Sequence, residues 1–221
     1  MVIISEAKGR LNTVYQNAIQ GLKGRRAHIL GHENYFESAV TLPLVEKDGQ
    51  IYVLFQKRAN NVLQPGEVSF PGGRIESTDG GPQEAAIRET CEELGLRPEH
   101  IEVIAPLDIM VSPFNAIVYP FLVKIINPEL INPNPEEVAE IFYVPLDYLI
   151  NYDPLHKVLW VTVDYSEDFP FELIPHGKNY PFRKGTLPQF FYIWKDWVIW
   201  GLTARILNHF LTLLKTNSCN E

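Results

Sequence analysis

The chain has 221 residues, 46% of them hydrophobic and 21% charged, a composition that one domain with terminal additions accommodates. Its 27 acidic and 19 basic residues leave a net charge of −8, which excludes a broad electrostatic grip on nucleic acid, so a polyanionic ligand has to be met by a few locally placed charges. The two cysteines, Cys91 and Cys219, follow no CxxC spacing; neither a disulfide framework nor a zinc cage is indicated, and a reducing cytoplasm is the setting that fits.

The opening MVIISEAKGR lacks the charged head and sustained apolar run of a secretory leader. From Ser5 to Leu22 the residues Leu11, Val14, Tyr15, Ala18, Ile19 and Leu22 recur at three- and four-residue steps, which predicts an N-terminal packing helix over 5–22. Between Ala39 and Arg58 the runs AVTLPLV and IYVLFQKR flank Asp48-Gly49, the signature of a β-hairpin. Two Pro-Gly steps around Glu67-Val68-Ser69-Phe70 predict a short strand between sharp turns. From Gly81 to Leu94 helix formers dominate, with Pro82 suited to a first turn and Gly95 to a stop. Strands follow at about Ile101–Met110 and Ala116–Ile126, then the loop NPELINPNP, the run AEIFYVPL and a strand at Lys157–Val163.

The apolar stretch from Tyr192 to Leu214 carries Lys195, Asp196, Arg205 and His209, which reads as a buried amphipathic helix over about 192–215 and not as a membrane span. Strands precede, separate and follow helices without regular βαβ alternation. The expected fold is therefore α+β, a mixed sheet in an α/β/α sandwich, as one domain over 1–221 with its core at about 37–165 and helical extensions at both ends.

Chemistry concentrates in Arg88-Glu89-Thr90-Cys91-Glu92-Glu93. Glu89, Glu92 and Glu93 fall at i, i+3 and i+4 and share one helical face, where like charges repel. Such a cluster is either a solvated charge run or a site relieved by a bound cation, and magnesium prefers a few carboxylate oxygens with water and phosphate completing its shell. Upstream stands Phe70-Pro71-Gly72-Gly73-Arg74, and Gly95-Leu96 follows the paired glutamates. With Gly73, Arg88, Glu89, Glu92, Glu93, Gly95 and Leu96 in place and Thr90 in an apolar slot, the stretch resembles the Nudix box. Asp79 stands where the box has its first glutamate, one residue further from Arg88 than the general pattern. Both departures are similar to the coenzyme A pyrophosphatase branch, as are Pro65-Gly66-Glu67-Val68-Ser69, Glu137-Val138 running to Val144-Pro145-Leu146, and Ile199-Trp200-Gly201-Leu202-Thr203-Ala204. That branch has a Leu-Leu-Thr-x-Arg strand end where this chain has Leu54-Phe55-Gln56-Lys57-Arg58.

The resemblance implies a Nudix fold and hydrolysis of a pyrophosphate bond with Mg2+ or Mn2+, in coenzyme A or an acyl-CoA, giving 3′,5′-ADP and a 4′-phosphopantetheine. ADP-ribose and NADH are the alternatives within the enzyme class, and a non-catalytic binding module is the alternative outside it. It implies Glu89 and Glu93 as metal ligands, with Glu92 next and Gly73 through its main chain. For the general base the candidates are Glu89 and Glu92, with Glu136 or Glu137 behind them. Arg58 and Arg74, with Gly72 and Gly73, are the candidate substrate-binding residues; Arg88, four residues from both Glu84 and Glu92, reads as an orienting salt bridge, and Gly95 as structural support. A homodimer is admitted; nucleic-acid and membrane partners are not expected.

Four bystanders carry weaker readings. His176-Gly177-Lys178 with Arg183 and Lys184 is a 3′-phosphate contact or, more safely, a solvated loop. His28 and His32 have no evident carboxylate partner for a metal, Cys91 reads as a packing residue, and the aromatic run Phe190, Phe191, Tyr192, Trp194, Trp197 and Trp200 reads as core rather than a stacking surface.

Overall fold

A computed structural model describes residues 15–27 and 29–218. They fall into two units, one ending at Tyr35 and the other beginning at Phe36. In the first, residues 15–20 are helical and His32–Asn34 form a 3-10 turn. Residues 5–14 of the expected helix lie outside the described residues; over the rest, Tyr15, Ile19 and Leu22 are exposed.

The second unit is built on a mixed sheet. Strands β1 (Phe36–Lys47) and β2 (Gln50–Arg58) form the expected hairpin, with Asp48 and Gly49 turning at φ 51 and 73. Short strands β3 (Val68–Ser69) and β4 (Gly72–Arg74) follow, then helix α1 (Pro82–Leu94). Next come β5 (Ile101–Pro106), β6 (Met110–Ser112), β7 (Ala116–Ile125) and β8 (Val138–Pro145), so the single strand expected over Ile101–Met110 is broken after Pro106. A short helix, α2 (Leu146–Asn151), leads to β9 (Leu155–Val161). The sheet runs β3-β2-β1-β7-β5, with β4 paired to β1, β6 to β7 and β8 to β2. Strands β1 and β7 are parallel from Phe36↔Ala116 to Val45↔Ile125, and the other pairings are antiparallel.

The chain ends in β10 (Gly185–Trp194), β11 (Trp197–Ile199) and α3 (Gly201–Ser218), so the helix expected over 192–215 starts only at Gly201. The stretch before it is a hairpin in a separate sheet with β9: Trp194 pairs with Trp197 across Lys195-Asp196, and Lys195 takes φ 53. The physical reason is alternation, since Tyr192 is buried and Ile193 exposed, a period of two that the unbroken apolar run conceals. Among the described residues no helix is long and apolar enough to cross a membrane.

Two cores lie on opposite faces of the sheet. Val53 and Phe55 of β2 pack with Val68, Phe70, Tyr192, Leu207 and Phe210 on the α3 side. Leu54 packs with Ala85, Ala86, Leu94, Val123 and Ile125 on the α1 side. The result is the α/β/α sandwich with a mixed sheet that the sequence pattern implied, and its core extends well past residue 165, to Leu211.

Helix α1 stops at Gly95, whose φ of 64 is the left-handed cap conformation and whose missing Cβ leaves room for the Asn132 carbonyl. Gly95→Ala should therefore cost more than about 1 kcal/mol in urea unfolding; an unchanged midpoint would show that neither strain nor this contact matters.

Candidate active site

The site arises where β1 and β2 part. They pair only over Leu44–Lys47 with Gln50–Val53; beyond that, β1 turns to β4 through Ser38–Val40 and β2 to β3 through Gln56 and Lys57. Residues 68–74 are wedged between the splayed strands, directly under α1. At Gly72, φ is 147 and a Cβ would collide with the Ala39 carbonyl and Val40, so only glycine fits. A Cβ on Gly73 would fall within the carboxylate of Glu89. The space at Gly73 is where the Glu89 carboxylate reaches, and the space at Gly72 is taken by β1.

Helix α1 turns Ala85, Ala86, Thr90, Glu93 and Leu94 inward. Thr90, polar in an apolar slot, is anchored there: its hydroxyl donates to the Ala86 carbonyl at 2.7 Å, which leaves the Thr41 hydroxyl, 2.8 Å away, to donate to it. This pins α1 to β1 at the turn that carries the glutamates.

The three glutamates are not equivalent. Glu93 is 5% exposed, and its Oε2 accepts the Gly72 N–H at 2.8 Å. The side chain of Glu89 is 18% exposed and that of Glu92 54%. Burial pushes Glu93 up to about 7, with the Glu89 charge adding to it against the Gly72 N–H, Gln56 and the Arg58 charge. Burial also raises Glu89, against its hydrogen bond to Arg88, with the charges of Glu92 and Glu137 adding to the rise. Of the two downstream acids, Glu137 is half-buried and Glu136 exposed.

Arg88 joins the cluster's outer side. Its Nε and one terminal nitrogen clasp Asp79 at 2.9 and 3.0 Å, and that nitrogen also donates to the Arg74 carbonyl at 3.0 Å. The other nitrogen donates to Glu89 at 2.9 Å and Glu92 at 3.1 Å. Glu92 is one of the two helix partners that the spacing offered it. Asp79, whose importance the sequence did not reveal, is the bidentate one. These bonds hold the Asp79 carboxyl below its usual range, and Asp79 in turn accepts the Glu76 N–H at 2.8 Å. The additional loop residue before α1 thus ends in a fold-back onto Arg88.

Arg58 donates its Nε to the Leu63 carbonyl at 2.7 Å and is close enough for its charge to favour ionised Glu93. Arg74 is exposed, with its guanidinium over the Phe36 ring at 5.6 Å. Among the described residues no three acidic, histidine or cysteine side chains stand gathered around one point. The donor chemistry still fits a hard divalent cation: two desolvated carboxylates hold protons more tightly than usual, and oxygen donors of this kind are what magnesium and manganese accept.

The remaining candidates lie elsewhere. His28 is outside the described residues, and His32 stands 3.5 Å from Glu33 in the first unit. His176, Lys178, Arg183 and Lys184 are exposed, and Cys91 packs on the α1-side core, where burial raises its thiol to about 11. The aromatic run divides. Tyr192 is core, whereas Phe191, Trp197 and Trp200 line an open cleft of about 600 Å³ with Lys57, Glu67 and Val68. Lys57 follows the strand alternation away from Arg58, so this cleft adjoins the same end of β2 on the sheet's other face.

The family described as NUDIX domain matches residues 35–164. The peroxisomal coenzyme A diphosphatase NUDT7 of Mus musculus is 34% identical over 150 residues, covering 67% of this chain and 59% of its own length. This chain thus spans somewhat over half of that relative. The mitochondrial coenzyme A diphosphatase NUDT8 of Homo sapiens is 31% identical over 181 residues, covering 80% of this chain and 69% of its own. A solved MutT/nudix family protein from Enterococcus faecalis superposes with a TM-score of 0.51 at 15% identity, over 94% of this chain and 69% of its own, a likeness of fold.

The burial of Glu93 has a measurable sign. Its folded-state value of about 7 exceeds an ordinary glutamate's 4.5, so the stabilisation it gives is complete below about pH 4.5 and is lost as the pH rises through 7. In chelator, the stability of wild type relative to Glu93→Gln should fall by roughly 3 kcal/mol between pH 4.5 and 8 in urea unfolding. Parallel pH profiles for the two proteins would contradict it.

Proposed function

This chain belongs to the Nudix family, and we propose that it hydrolyses the pyrophosphate bond of coenzyme A or an acyl-CoA, giving 3′,5′-ADP and (acyl-)4′-phosphopantetheine. The observation that carries the reading is the buried Glu93, set beside Glu89 against a glycine loop, a desolvated carboxylate that a bound cation would neutralise. The coenzyme A choice rests on the branch-like motifs and on what the mouse and human relatives are named for.

In this reading Glu89 and Glu93, with Glu92 and the Gly73 main chain, hold Mg2+ or Mn2+. The bound ion supplies charge neutralisation of the diphosphate and a more acidic water. For the water's proton the candidates are Glu89 and Glu92, with Glu136 or Glu137 behind them. Arg58 takes a phosphate oxygen, and Arg88 fixes the outer carboxylates while Asp79 fixes Arg88. The cleft of Phe191, Trp197 and Trp200 has one lysine against the carboxylates of Glu67 and Asp196. That balance disfavours phosphate and suits the neutral pantetheine or acyl arm. A reducing, cytoplasmic setting is proposed with the function, on the strength of the free thiol of Cys91.

Incubation with Mg2+ and, separately, coenzyme A, an acyl-CoA, ADP-ribose and NADH should give the highest kcat/KM with the coenzyme A compounds. Preference for ADP-ribose or NADH would move the substrate, and binding without turnover would make the protein a ligand-binding module. Glu93→Gln and Glu89→Gln should each lower kcat at least about 100-fold while the protein stays folded; a wild-type rate in either removes that residue from the site. Trp200→Ala should raise KM for acyl-CoA several-fold and leave that for ADP-ribose unchanged, and equal effects on both would place the arm elsewhere.

A further inference from the structure

Two buried polar side chains beside the carboxylates have no part in the reaction as proposed. Strand alternation fixes where they point. On β2, Leu54 enters the α1-side core and Phe55 the α3-side core, so Gln56 faces α1. On β3, Val68 enters the α3-side core, so Ser69 also faces α1. Gln56 and Ser69 are direct partners across the β2–β3 pair, which makes them neighbours on that face.

Gln56 is 0% exposed. Among the described residues, both of its amide atoms and the Ser69 hydroxyl lack a full hydrogen-bond partner. A buried group left in this state costs about 1–3 kcal/mol. Glu93 is the buried carboxylate that α1 turns toward this face, and the Gln56 amide completes no hydrogen bond to it.

We propose that Gln56 is a positioning residue for Glu93: its Nε2 donates to the Glu93 carboxylate when that group carries a dication, and its Oε1 accepts the Ser69 hydroxyl. The Gly72 N–H holds the carboxylate from the loop side, and Gln56 holds it from β2. A carboxylate fixed from two directions presents its remaining lone pairs in one orientation, and outer partners of this kind commonly set metal affinity. The amide then finds its hydrogen bonds only in the loaded site. This inference rests on the metal-dependent reading of the site.

The test is Gln56→Leu in the full chain, with three measurements. Its thermal midpoint should be unchanged or higher, because unpaired polar atoms have been removed. Its affinity for Mn2+ without substrate, read by calorimetry or electron paramagnetic resonance, should fall about 10- to 100-fold. The Mg2+ concentration for half-maximal turnover should rise in parallel, with KM for coenzyme A within about twofold. Ser69→Ala should move the same readouts in the same direction by less, and decides the matter should Gln56→Leu fail to fold. Unchanged Mn2+ affinity overturns the proposal, as does a loss that only tracks a lower thermal midpoint. If wild type binds Mn2+ but hydrolyses none of the diphosphates, a weakened Mn2+ site in Gln56→Leu still supports the positioning role, and the hydrolase reading alone fails.

Discussion

Everything at the site depends on one hydrogen bond, from the Gly72 N–H to the buried Glu93 carboxylate. It requires β1 and β2 to splay, so that residues 68–74 enter between them and bring a backbone donor under α1. It requires glycine at 72, since a Cβ there meets β1 backbone, and at 73, where a side chain would take the place of Glu89. A single backbone donor does not balance a desolvated carboxylate, and the elevated proton affinity of Glu93 is the residue of that imbalance.

The local charge count says what the imbalance calls for. Arg88 and Arg58 face Asp79, Glu89, Glu92, Glu93 and Glu137, in a chain already at −8. Arg88 spends itself on the outer acids, clasping Asp79 and gathering Glu89 and Glu92, and leaves the innermost carboxylate to other partners. Surplus negative charge of this kind both attracts a divalent cation and repels a diphosphate until one is bound, so cation and substrate become mutually dependent.

Much of this was legible in the residues. Spacing put Glu89, Glu92 and Glu93 on one face, Asp48-Gly49 marked the hairpin, and Pro82 and Gly95 bounded the helix within a residue of where it lies. What spacing does not carry is depth: the same face holds one buried, one half-buried and one largely exposed carboxylate, and only the wedge under α1 decides which. Asp79 was visible as an oddity of the loop and not as the clasp of Arg88, because a loop's fold-back leaves no periodic trace. The error over residues 192–200 has a similar root, since a continuous aromatic and β-branched run satisfies both periods until Lys195 is seen to turn. Gln56 was passed over because polar residues at strand ends are ordinarily solvated, and here a neighbouring strand and helix bury it.

The central claim is that Glu93 is buried in order to hold a divalent ion, and ligand-linked stability tests it without any substrate. Wild type and Glu93→Gln are melted at pH 7.5 in chelator and in increasing Mg2+ or Mn2+. A ligand that binds only the folded state raises the midpoint with its concentration, so wild type should climb by several degrees while the variant, already relieved of the buried charge, stays flat. Equal shifts in both proteins, or none in wild type, would contradict the account.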